Sequence, residues 1–112
     1  MLKLRWLLFA GALAFASLTG SAAYAHKEHL HDAIAHTREA VAAGRENKPS
    51  TLVRHATEAL HHAKAAQADH PNIHIRRGIT RLREAIRFGD KRRSAATTIA
   101  NRALQELERA PQ

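Results

Sequence analysis

Two stretches of this chain repeat one pattern position for position: His29-x-x-Asp32-Ala33-Ile34-x-His36 and His55-x-x-Glu58-Ala59-Leu60-x-His62. Residues at i, i+3 and i+7 lie along one side of a helix, so each stretch lines up two imidazoles and a carboxylate. Imidazole nitrogen with carboxylate oxygen suits Zn²⁺, Cu²⁺ and Ni²⁺. The chain has no cysteine and its only methionine is Met1, which disfavours a dedicated Cu⁺ site. The i and i+7 histidines of a rigid helix stand roughly 10.5 Å apart along its axis, too far to grip one ion together. Each strip is therefore a partial ligand set, to be completed by a neighbouring helix or by water.

Closer pairs accompany the strips. Glu28 and His31, and Glu58 and His61, are at i, i+3; Asp32 and His36, and Glu58 and His62, are at i, i+4. The adjacent His61 and His62 point in different directions. His26, as a mature N-terminus, would offer its α-amine and imidazole together, a natural chelate for Cu²⁺.

The distribution of these residues narrows the chemistry. All nine histidines lie between His26 and Ile75, with six basic and six acidic residues, whereas Arg76 to Gln112 has none, with ten basic and four acidic residues. If the apolar stripes are taken as a and d positions, His29, His36, His55 and His62 fall at c and Asp32 and Glu58 at f, facing outward. The Glu-x-x-His units at Glu28 and Glu58 resemble those of di-iron carboxylate bundles, but such units must project into the interior. No haem attachment motif, phosphate loop or nucleophile with a partnered base is present. The chain reads as a non-enzyme.

The elements that position these groups are helices. Lys3 and Arg5, the apolar run Trp6 to Ala16 and the small-x-small triplet Ala23-Tyr24-Ala25 have the form of an export signal, so residues 1–25 are expected to be removed and the mature domain to span 26–112 in the periplasm. The 18 basic residues then fall to 16 against 10 acidic ones, a net charge of +6 with neutral histidines. Leu30, Ile34, Thr37 and Val41 predict a first helix from about Lys27 to Ala43, with Gly44 as its C′ residue. Pro49 and a Ser50 N-cap open a second, carrying Val53, Ala56, Leu60 and Ala63 as far as Asp69. After a turn at His70-Pro71-Asn72, Ile75, Ile79, Leu82 and Ile86 mark a third from Ile73 to Phe88, ending at Gly89 and slightly weakened by Gly78. A fourth begins at a Ser94 N-cap and runs through Ala100, Ala103, Leu104 and Leu107 to Ala110 before Pro111. Four similar helices on short connections predict an all-α, up-down-up-down four-helix bundle, read as a monomer. Much of its apolar content is alanine, which buries little area, so its stability without a ligand is expected to be marginal.

Arg76, Arg77, Arg81, Arg83, Arg87, Lys91, Arg92 and Arg93 make the second half strongly basic. The alternative reading of the chain is an adaptor that docks this region on an anionic envelope surface. Nucleic acid is not an expected partner, because the signal directs the chain out of the cytoplasm and Phe88 is the only aromatic residue left for stacking.

Together, the repeated histidine frame, the Ala25-His26-Lys27-Glu28-His29 start, the segment His61-His62-Ala63-Lys64-Ala65-Ala66 and the Gly78-Ile79 to Gly89 stretch resemble the small metal-binding protein (SmbP-like) family. The resemblance implies an exported, histidine-rich four-helix bundle that binds several divalent metals, copper among them, and scavenges or buffers them in the periplasm. The second hairpin departs from the pattern, with Arg81, Phe88, Ile99 and Glu106 at the frame positions, so no ligand carries over there. The expected ligands for copper, nickel or zinc are His29, Asp32, His36, His55, Glu58 and His62, followed by His26, His31 and His61, with His70 and His74 behind them.

Overall fold

In the computed structural model, residues 21–112 are described, with side chains from Tyr24 onward. Four helices follow one another: α1 (Ser21–Arg45), α2 (Pro49–Asp69), α3 (Ile73–Asp90) and α4 (Ala95–Arg109). Each packs on its neighbours in sequence, α1 closes the ring against α4, and contact across the diagonals is slight, as in an up-down-up-down bundle. The expected signal lies outside the described residues as far as position 20; Ser21 to Ala25 form the first turns of α1. Among the described residues no helix is long and apolar enough to cross a membrane.

The helix ends differ from expectation. Gly44 and Gly89 lie inside α1 and α3, and the left-handed residues that stop these helices are Asn47, with φ 58°, and Arg92, with φ 55°. After α1, Asn47 N–H donates to the Gly44 carbonyl (3.0 Å) and Lys48 N–H to that of Ala43 (2.9 Å). Arg92 and Arg93 donate likewise to Gly89 and Phe88, both at 2.9 Å. Both are Schellman arrangements. The glycines provide room instead: a Cβ on Gly78 would lie 2.7 Å from Leu107 Cδ2 and one on Gly89 2.6 Å from Val53 Cγ2. Lys48 rather than Ser50 holds the N-cap position of α2, with Pro49 in its first turn, whereas Ser94 holds that of α4 as expected, without a capping side-chain bond. Asn72 caps α3, its Oδ1 accepting from the backbone of His74 at 2.8 Å and Ile75 at 3.4 Å.

Among the described residues twelve of the twenty buried apolar ones are alanine, which lets the helices approach one another closely. α2 buries Leu52 and then only Ala56, Ala59, Ala63 and Ala66, and α1 brings Ala33 and Ala40. Contact side chains set interaxial separation within about 8–10 Å, and alanine lies at the short end. The larger side chains Leu30, Ile75, Leu82 and Leu107 are wholly buried. Thr37, the one buried polar side chain among the described residues, donates its hydroxyl to the Ala33 carbonyl at 2.6 Å.

Candidate metal centre

The alanine seam between α1 and α2 is rimmed by the repeated histidines. Because the two helices run antiparallel, the first histidine of one copy meets the last of the other. His29 Nδ1 lies 3.0 Å from His62 Nδ1, and His36 Nδ1 lies 3.3 Å from His55 Nδ1. A seven-residue step up α1 is matched by a seven-residue step down α2, so both pairs share one register. The expected outward placement is corrected: all four imidazoles are half-buried on the rim, because alanine packing draws the backbones together beneath them. Asp32 and Glu58 are exposed, as expected for position f.

Each pair holds two ring nitrogens within hydrogen-bond distance, which requires one to donate its proton to the other's lone pair. A cation can replace that proton and take both lone pairs. Two donors each about 2.0–2.1 Å from a tetrahedral ion stand roughly 3.3 Å apart. Beside the His36–His55 pair Glu39 Oε2 is 2.8 Å from His55 Nδ1 and 3.8 Å from His36 Nδ1, so three donors are spaced at 2.8, 3.3 and 3.8 Å. His36, Glu58 and His62 form a second group, with one donor atom from each lying within 4.8 Å of the others. At the far end Asp32 Oδ2 lies 3.9 Å from His62 Nδ1, beside the His29–His62 pair.

Glu39 is absent from the expected ligands. It stands where α2 has Ala65 and so falls outside the repeat; its signal was the His36-x-x-Glu39 spacing, which puts both side chains on one face.

The remaining expected residues lie apart. His31 and His61 are exposed, the latter with its ring centroid 5.6 Å from that of His62. His26 donates Nδ1–H to the Ala66 carbonyl at 3.0 Å and meets His70 edge-on at 4.6 Å between centroids. None of these four enters a three-donor group among the described residues.

Electrostatics favour the neutral form of one seam imidazole. Burial pushes the His62 imidazole below its ordinary value of 6.5; Asp32 opposes this, and His29, His36 and His61 add to it by repulsion. A neutral ring keeps its lone pair at neutral pH. In the second hairpin His74 Nδ1 meets Glu106 Oε2 at 2.9 Å. That hydrogen bond holds the Glu106 carboxyl below the usual carboxylate range, assisted by Arg109 and Arg77 against the effect of burial. Arg81, at the frame position of the first histidine, pairs with Glu84 at 3.1 Å. The ligand-rich seam is thus confined to α1 and α2.

No curated protein matches the chain significantly. The family model described as small metal-binding protein matches residues 1–110, and the chain belongs to that family.

Proposed function

We propose that the mature protein is a non-enzymatic periplasmic buffer that takes up Cu²⁺, Ni²⁺ or Zn²⁺ at the α1–α2 seam and releases them readily. The observation that carries this reading is the trio His36, Glu39 and His55, whose donors stand at the separations that one such ion imposes. The groups lie on the surface, each offers at most three protein donors, and water completes the shell, which favours exchange over retention. Export follows from the leader-like residues 1–25, and removing them would place a free α-amine at His26.

The test is metal content. Untagged, processed protein dialysed against copper, nickel or zinc should retain metal, and a variant with alanine at His29, His36, His55 and His62 should lose most of it. Equal retention by the variant refutes the seam as the site.

A second reading concerns the basic face. Arg54 and Lys64 of α2 and Arg76, Arg83 and Arg87 of α3 are exposed, and a shallow apolar floor of Leu60 and Ile86 lies beside Arg83 and Arg87. Among the described residues none of these five cations has an ion-pair partner within 4.0 Å. This composition suits the anionic headgroups of an envelope membrane. Co-sedimentation with phosphatidylglycerol vesicles at low salt, lost on charge reversal of Arg76, Arg83 and Arg87, supports it; no co-sedimentation removes it.

A further inference from the structure

The seam's donor groups overlap. Glu39, His55 and His36 form one group and His36, Glu58 and His62 the next. His62 also joins His29 at 3.0 Å, with Asp32 at 3.9 Å. Neighbouring groups therefore share an imidazole: His36 belongs to the first and second, His62 to the second and third. A neutral imidazole has one lone-pair nitrogen, its other nitrogen carrying the proton. Each shared ring can serve one ion at a time.

We propose that the seam holds two ions at its outer groups, and that the central group of His36, Glu58 and His62 is a transit position that fills only as an outer one empties. The inference rests on the seam being the metal site and adds its stoichiometry and its route of exchange. Filling both outer groups engages all four imidazoles, whereas filling the centre engages two and leaves His29 and His55 without their partners. More metal–nitrogen bonds form in the outer arrangement. Two ions separated by two helical turns stand roughly 10.5 Å apart, and a third between them would meet strong repulsion from both. The rings of His36 and His62 stack 5.8 Å apart between centroids with planes 4° from parallel, so the shared ligands stand side by side along the seam. An ion can move inward by exchanging one ligand while another still holds it.

The test adds Cu²⁺ alone to processed, untagged protein at pH 7.5 in a weakly coordinating buffer, against a chromophoric chelator that counts tightly bound equivalents. Circular dichroism checks that each variant is folded. Glu58→Gln is expected to leave the count unchanged, while His36→Ala and His62→Ala each lower it by one. The electron paramagnetic resonance spectrum of the loaded wild type is expected to show dipolar broadening between two coppers, which His36→Ala removes. Loss of one equivalent in Glu58→Gln, or of two in His36→Ala, overturns the proposal in favour of three ions bridged by deprotonated imidazoles. An unbroadened spectrum at full loading overturns it in favour of isolated ions. Failure of the seam reading is distinguishable, because copper uptake would then be the same in the wild type and in the variant lacking all four histidines.

Discussion

Enlarging Ala59 should impair metal binding without altering any ligand. Ala59 is wholly buried on α2 between His55 and His62, and its repeat counterpart on α1, Ala33, is also wholly buried. Leucine there would overpack the seam, for about 1–3 kcal/mol of stability, and part the helices by roughly 1 Å within the range that contact side chains allow. The His36–His55 nitrogens would move from 3.3 Å to roughly 4.3 Å, whereas two nitrogens on one ion stand at most about 4.2 Å apart. One donor is then lost from the His36–His55 pair, and disturbed ligand geometry of this kind weakens affinity by about 10–100-fold. Competition between Ala59→Leu and a chromophoric chelator for Cu²⁺ measures the change, with circular dichroism confirming a folded helical chain. Affinity within twofold of wild type in a folded variant would refute the claim that close alanine packing assembles the donors.

Copper binding should weaken as pH falls from 7.5 to 5.5, because protons compete with the metal for the imidazole lone pairs; calorimetry at the two pH values checks this. Metal-free stability should fall over the same range: with the folded-state value of His62 lowered from 6.5, its contribution is complete above 6.5 and is lost as pH drops through the lowered value, which urea titrations against pH would show. Gly78→Ala should lower the melting temperature, since the new Cβ would stand 2.7 Å from the buried Leu107 Cδ2, and overpacking of about 1–3 kcal/mol outweighs the helix-propensity gain of about 1 kcal/mol. Arg92→Gly should raise stability by about 0.5–1 kcal/mol, because glycine removes the strain of a side chain held at φ 55°; chemical denaturation measures it.

The helices were legible because Leu30, Ile34, Thr37 and Val41, and Ile75, Ile79, Leu82 and Ile86, recur at spacings that only a helix brings onto one face. Their ends were less so. Gly44 and Gly89 resemble stop signals, yet tertiary packing needs them as gaps and the turns fall to Asn47 and Arg92. The histidine repeat exposed the four imidazoles of the seam, but assigning heptad positions from the large apolar residues turned them toward solvent. Alanines make up most of the buried face of α2, and a pattern read mainly from leucine and isoleucine misses the direction in which such a helix packs. Glu39 had only the His36-x-x-Glu39 spacing to mark it, because its nearer partner, His55, is distant in sequence.

The central claim is that imidazoles from two helices grip a single ion, and anomalous diffraction at the zinc edge from crystals of the zinc-loaded protein tests it most directly. The expected peak lies about 2.0–2.1 Å from a ring nitrogen of both His36 and His55, with a Glu39 oxygen about 2.0–2.2 Å away. Zinc found only on single-helix residues such as His31 or His61, with the α1–α2 seam empty, would contradict it.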